Sequence, residues 1–228
     1  RSVATAVCVG EEFSLFLSNE GDVYSVGKNS NRGHGHEEEC VFPIKKISTL
    51  QNIQSIACGY DHTICLDYSG TVFTFGRNRY GQLGVGKDVE TLSHTYVPQK
   101  LDLPLIIQIA CGTDFNMCVT EDGLLYSFGE DKYGQLGIGN TALKKYNFPQ
   151  KVMFLKDVHF ISCGANHTIC QTVSNDIYCW GSNDHGQLGL DIGKNQLKKF
   201  INIPRQCQNW PDNIVDIKCG YDFTIVLT

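Results

Sequence analysis

The chain has 228 residues, of which 42% are apolar and 19% charged, an ordinary globular composition for one domain or two small ones. A net charge of -5 excludes a field that would draw the whole chain onto nucleic acid or anionic lipid, and it makes a basic partner the better match. No apolar run of roughly 18 residues occurs, and 23 Gly with 12 Phe and 10 Tyr favour strands joined by tight turns, hence an all-β fold.

Arg1-Ser2-Val3-Ala4-Thr5 leads into a strand pattern without signal-peptide anatomy, and the abrupt ends suit a piece cut from something longer. The first apolar strand, Val7 to Gly10, ends in glycine, and so do Ile53 to Gly59, Ile106 to Gly112, Phe160 to Gly164 and Ile214 to Gly220. These glycines are 49, 53, 52 and 56 residues apart, a period in the range of four-stranded propeller blades. After each glycine come two residues and then Phe13, His62, Phe115, His167 or Phe223, opening a second strand such as His62 to Leu66 after a tight hairpin turn. A second turn, Tyr68-Ser69-Gly70 or Glu121-Asp122-Gly123, leads to a third strand, Val72 to Phe75 or Leu125 to Phe128.

The third strand runs into a nine-residue motif: GRNRYGQLG from Gly76 to Gly84, GEDKYGQLG from Gly129 to Gly137 and GSNDHGQLG from Gly181 to Gly189. A degenerate copy, GKNSNRGHG, runs from Gly27 to Gly35. First and second repeat glycines are 17 residues apart in all four copies, so insertions are confined to the stretch after the motif. Gly76, Gly81, Gly84, Gly129, Gly134, Gly137, Gly181, Gly186 and Gly189 read as backbone positions needing positive φ or close approach. Leu83, Leu136 and Leu188 are expected between blades. Polar loops follow, then proline-marked outer strands: Pro43 to Ile47, Pro98 to Leu101, Pro149 to Val152 and Ile203 to Cys207. The whole of 1–228 is one propeller-type domain, with repeats at approximately 3–52, 53–105, 106–157 and 158–213 and a partial one at 214–228. The last stops after two strands, leaving an edge for the N-terminus, a symmetry partner or further chain to cover.

Eleven cysteines are an odd number, and the repeat explains most of their positions without bridges. Cys58, Cys111, Cys163 and Cys219 precede a repeat glycine where the first repeat has Val9; Cys65, Cys118 and Cys170 stand where the first and last repeats have Phe16 and Val226. Exchange with Val and Phe marks core residues, with disulfides and metal ligation as the alternatives. A reducing cytoplasm or nucleus goes with that reading.

His62 and His167 with the cysteines are the set that most resembles a catalytic one, yet the other repeats put Phe13, Phe115 and Phe223 in the histidine place, which argues for packing. His34 and His36 beside Glu37, Glu38, Glu39 and Cys40 lack a strong metal-ligand spacing. No GxGxxG after a strand, P-loop or GxSxG occurs, so no catalytic, cofactor-binding or metal residue is assigned. Before the His or Phe position stand Glu12, Asp61, Asp114, Asn166 and Asp222, turn residues that would also gather into an arc of negative potential near one mouth of the axis and receive Lys or Arg from a partner. At the opposite ends of the strands, Lys45-Lys46-Ile47, Lys144-Lys145-Tyr146 and Lys198-Lys199-Phe200 each set two lysines before an apolar residue on a loop rim. Tyr146, Phe200 and Trp210 are the aromatic types that anchor interfaces.

The combination of Ala-Cys-Gly, His-Thr, a strand ending in Phe-Gly or Trp-Gly and Asn-x-x-Gly-Gln-Leu-Gly resembles the regulator of chromosome condensation repeat family over essentially the whole chain. Kelch blades carry paired glycines and WD-type blades a Trp-Asp signature, and neither is present. The resemblance implies antiparallel four-stranded blades and a seven-bladed ring, of which this chain holds a partial, open array. It also implies two functions. One is a non-catalytic protein-binding module of a larger regulatory protein, such as a HECT-type ubiquitin ligase, whose partner could be a ligase substrate. The other is an exchange factor that wedges nucleotide out of a Ran-type small GTPase. The three-strand core has no long insertion to act as wedge, and the acidic charge does not suit the chromatin association of the family's founder. The binding module is therefore preferred, without cofactor, nucleic acid or membrane, and with self-association through open blade edges as a further option.

Overall fold

The computed structural model describes residues 2–28, 40–86, 92–140, 145–190, 200–208, 210–211 and 213–228. Among these, all helical or strand structure is β-strand. The first blade consists of β1 (Ala4–Val9), β2 (Phe13–Ser18), β3 (Val23–Lys28) and β4 (Cys40–Lys46). The second holds β5 (Ile53–Cys58), β6 (His62–Asp67), β7 (Val72–Arg77) and β8 (His94–Lys100). The third holds β9 (Ile106–Cys111), β10 (Phe115–Thr120), β11 (Leu125–Glu130) and β12 (Lys145–Lys151), and the fourth β13 (Val158–Cys163), β14 (His167–Thr172), β15 (Ile177–Ser182) and β16 (Phe200–Gln206). A two-stranded sheet, β17 (Asp216–Cys219) and β18 (Thr224–Leu227), follows. Strands are antiparallel and in chain order within each sheet, and the first strands β1, β5, β9, β13 and β17 touch one another in series around a common axis.

The outer strands begin earlier than the prolines suggested. Pro98 lies inside β8, within a shift of register between Gly76↔Thr95 and Thr74↔Gln99, and Pro204 lies inside the matching shift of β16. A bulge on an edge strand needs no N–H from the proline, so the ring is accommodated mid-strand.

A single four-stranded sheet cannot bury its apolar faces alone, and the core here is divided into clusters between blades. One joins Leu15, Leu17, Ile47, Leu50 and Ile53 to Cys65 and Phe75; another joins Ile64, Leu66 and Val72 to Ile106, Ile109 and Phe128. The largest runs from Phe115 through Leu136, Trp180 and Leu188 to Ile217. Leu83, Leu136 and Leu188 are fully enclosed, each stabilising by roughly 2–3 kcal/mol.

Cys65, Cys118 and Cys170 are buried core thiols. The bridge-free reading of the cysteines fails at one place: Cys8 of β1 is disulfide-bonded to Cys58 of β5. Repeat alignment could not find this pair, because Cys8 occupies a position that has no cysteine in the other repeats; only the adjacency of inner strands brings it to Cys58.

Gly81, Gly84, Gly134, Gly137, Gly186 and Gly189 all have φ between 60° and 80°. A Cβ at Gly134 would lie 2.5 Å from Cα of Asn202 on the next blade's outer strand, and one at Gly81 would lie 2.7 Å from Cα of Asn147. At Gly186 a Cβ meets nothing within 4 Å. Gly134→Ala should therefore lower the urea unfolding free energy by roughly 2–4 kcal/mol, from left-handed strain plus displacement of β16. Gly186→Ala should lose only about 1–2 kcal/mol, from strain alone; equal losses would contradict the close-approach account.

Candidate functional site

The start of each second strand pairs with the end of the third: Phe13↔Gly27, His62↔Gly76, Phe115↔Gly129 and His167↔Gly181. The acidic turns and the Gly-Gln-Leu-Gly loops therefore share one rim, and Lys145 and Phe200 with them, which corrects the expected placement of the lysine-bearing loops of the third and fourth blades at the opposite ends. Strand parity is the cause, since a chain that goes up, down and up again returns the third strand's end to the first strand's side. Lys145 pairs with Glu130 and Phe200 with Ser182, so both stand on this rim, whereas Lys45 and Lys46 pair with Ser25 and Tyr24 at the other end. Lys144, Lys198, Lys199, His34, His36, Glu37, Glu38 and Glu39 lie outside the described residues, and nothing is described of the Cys40 side chain.

The loop motif ties each blade to the next. In the second blade, Asn78 Oδ1 accepts the Leu83 N–H at 3.0 Å and Gln82 Oε1 accepts the Tyr80 N–H at 2.9 Å, so both side chains shape their own turn. Gln82 Nε2 then donates to Asp114 Oδ1 of the following blade at 2.7 Å, and the Gln82 carbonyl accepts from Asn116 Nδ2 at 2.7 Å. One blade on, Gln135 donates to Asn166 at 3.3 Å while its carbonyl accepts from Trp180 Nε1 at 2.9 Å and Thr168 Oγ1 at 3.3 Å. Gln187 repeats the pattern with Asp222 at 3.3 Å and Thr224 at 2.9 Å.

Much of the acidic arc is thus engaged within the frame. Asp61 Oδ2 forms an ion pair with Arg77 Nη1 at 2.6 Å, and the Asp222 carboxylate lies 3.9 Å from His185 Nε2. Burial pushes Asp114 up to about 6, helped by the Glu130 charge and opposed by Arg77. Glu12 is likewise in contact with neighbouring groups. At the axis, the first turn residues form a backbone collar: Glu11 N–H donates to Tyr60 C=O, Tyr60 to Thr113, Thr113 to Ala165 and Ala165 to Tyr221, each at 2.9–3.0 Å. The collar residues line an open cavity of about 470 Å³ together with Val9, Cys58, Cys111, Cys163 and Cys219 and their glycines. Burial raises the thiols of Cys111, Cys163 and Cys219, which keeps them from acting as nucleophiles.

The aromatic anchors divide. Phe200 is exposed, but Tyr146 is only 7% exposed and packs in the core, because its partner Gly129 places it against the motif loop. Trp210 is half-buried over Gly189, where a Cβ would come within 3.1 Å of its indole; Phe128 covers Gly84 and Trp180 covers Gly137 in the same way. Among the described residues, no three His, Cys, Asp or Glu side chains are placed to hold a metal ion.

His62 and His167 are buried, with Nε2 on Asn116 Oδ1 at 3.0 Å and on Thr224 Oγ1 at 3.2 Å respectively. Burial lowers both to about 4. The unfolded chain, with histidine near 6.5, binds protons that the folded chain refuses, so stability is full above about pH 6.5 and is lost as pH falls toward 4. Replacing both by phenylalanine should be nearly neutral at pH 7 and should remove a loss of roughly 1–2 kcal/mol per histidine at pH 5. Urea titrations at the two pH values check this, and an unchanged acid limb in the double variant would refute it.

The model of the RCC1-like domain matches residues 1–228. The ultraviolet-B receptor UVR8 of Arabidopsis thaliana is 36% identical over 86% of this chain and 45% of its own length. The human E3 ubiquitin-protein ligase HERC2 is 33% identical over 89% of this chain and 4% of its own. The chain thus spans less than half the length of either relative. Prp20p from Saccharomyces cerevisiae superposes with a TM-score of 0.86 at 23% identity, covering 99% of this chain and 56% of that structure, a likeness of fold.

Proposed function

The chain belongs to the RCC1-like domain family, and from that premise we propose that it is a non-catalytic protein-docking module of a larger regulatory protein. The observation that carries this reading is the division of labour on the rim. Side chains that recur from blade to blade are occupied by ties within and between blades, while the side chains left free to vary stand on the loops and turns of the same rim. A scaffold of that kind recognises by its variable loops. Relatives named as a photoreceptor and as a ubiquitin ligase share the domain, which supports recognition as the common contribution. The partner face we assign is the rim bearing the acidic turns, Lys145 and Phe200. Lys144, Lys198 and Lys199 remain assigned to it by sequence position, whereas buried Tyr146 is withdrawn as a contact.

The setting we assign is cytoplasmic or nuclear. No helix among the described residues is long and apolar enough to cross a membrane, and the axial thiols beyond Cys58 are free. Among the described residues, the Cys8–Cys58 bridge is the one disulfide that a reducing compartment would open.

The alternative, nucleotide exchange on a Ran-type GTPase, is separated by one assay. Labelled nucleotide on such a GTPase should leave at its intrinsic rate in the presence of catalytic amounts of the chain; acceleration would overturn the docking-module reading. In parallel, Lys145→Glu with Phe200→Ser should reduce quantitative capture of co-purifying proteins by about fivefold or more with the melting temperature unchanged. Unaltered capture would remove this rim from consideration.

A further inference from the structure

Asp131 occupies in the third blade the place held by Asn78 in the second and Asn183 in the fourth. Asn78 uses both ends of its amide there: Oδ1 accepts the Leu83 N–H at 3.0 Å, and Nδ2 donates to the Leu92 carbonyl at 2.9 Å. Asn183 Oδ1 accepts the Leu188 N–H at 3.2 Å. Asp131 Oδ1 takes the equivalent Leu136 N–H at 3.0 Å, but its Oδ2 is buried without a hydrogen-bond partner among the described residues, in a residue 6% exposed. In the second blade the position thus supplies one acceptor and one donor. A carboxylate supplies acceptors only, whereas a neutral carboxyl group supplies both, as the amide does.

No cation forms an ion pair with Asp131 among the described residues. The charged and titratable groups near it are Glu130, beside it in the chain, and Tyr146 from β12, whose hydroxyl is raised first by burial and then by the Asp131 charge. Glu130 is itself raised by burial and opposed by Lys132 and Gln135. The surroundings thus favour loss of charge at this site.

We propose that Asp131 is a proton-operated latch on the junction of the third and fourth blades: protonated, it stands neutral beneath the Gly-Gln-Leu-Gly loop as the asparagines do, and ionised, it places a buried charge without a counter-ion there, which loosens the loop so that water can reach it. Burial, and secondarily the neighbouring Glu130, place its titration at about 7, opposed by the Leu136 N–H. A carboxyl raised in the folded state above its unfolded value near 3.9 has a protonated form that folding favours. The latch is closed below about pH 7 and opens as pH rises through that value. The loop it holds carries the Gln135 carbonyl that receives Trp180 and Thr168, so the effect is local to this junction. The second and fourth junctions, built on amides, do not share it. This inference is independent of the docking reading, since it concerns one loop and one proton.

The test is amide hydrogen exchange by NMR on the whole chain between pH 5.5 and 8.5, with rates corrected for intrinsic chemistry. In the parent chain, protection of the Leu136 N–H is expected to fall by about tenfold or more across that range relative to Leu83 and Leu188. Asp131→Asn, which keeps size and shape, is expected to abolish the difference, so that Leu136 follows its two counterparts at every pH. Parallel behaviour of Leu136, Leu83 and Leu188 in the parent chain overturns the latch, and so does a pH-dependent loss at Leu136 that persists in Asp131→Asn.

Discussion

Between the second and third blades, the third and fourth, and the fourth and the two-stranded sheet, a main-chain carbonyl in one motif loop accepts a hydrogen bond from the second strand of the next sheet, joined at the third-to-fourth junction by one from Trp180 of the third strand. Gln82 takes Asn116, Gln135 takes Thr168 and Trp180, and Gln187 takes Thr224. These bonds lie at the joint where each sheet must bury its apolar face against its neighbour, and an unmet carbonyl there would cost about 1–3 kcal/mol. The rest of the motif serves that placement. Asn or Asp and the Gln side chain bend the loop, the glycines bring it down onto the adjoining sheet, and the leucine fills the space beneath.

The same joint explains why equivalent positions tolerate chemically different residues. His62 and Phe115 both fold back over the preceding repeat glycine, and what matters is a flat ring of suitable size. Asn116, Thr168 and Thr224 differ in length, yet each carries a donor that reaches the carbonyl of the preceding glutamine. Repetition here preserves a pattern of donors, acceptors and volumes, and the residue types are one of several ways to satisfy it.

The fold was legible because its determinants are periodic: three near-identical motifs and an invariant 17-residue spacing encode blades directly. What was not legible depends on relations the period does not carry. The Cys8–Cys58 bridge joins a residue unique to one repeat to a neighbour fifty positions away. Tyr146 resembled a surface anchor by its lysine neighbours, but its strand register sends it inward. The shared rim of acidic turns and motif loops was available in principle from counting strand directions. The involvement of Asp114 and Asp222 with the motif glutamines was not, since that contact crosses from one repeat to the next. Asp131 was visible as a letter, and became informative only when the buried oxygen without a partner was seen beside its asparagine counterpart.

The collar at the mouth of the axis has a further meaning. It is made of main-chain groups alone, from Glu11 through Tyr60, Thr113 and Ala165 to Tyr221, and every N–H in it points toward the following blade. The peptide dipoles therefore add in one rotational sense, and sliding of one blade past another must break an aligned bond. The backbone bonds of the collar use no side-chain atom, so they set no demand on residue type, proline excepted, although the Tyr60 hydroxyl adds its own bond to the Glu11 carboxylate. Acid, phenol, hydroxyl and methyl groups already stand there, so the entrance to the axis is a panel whose chemistry can be rewritten without breaking the main-chain collar that presents it.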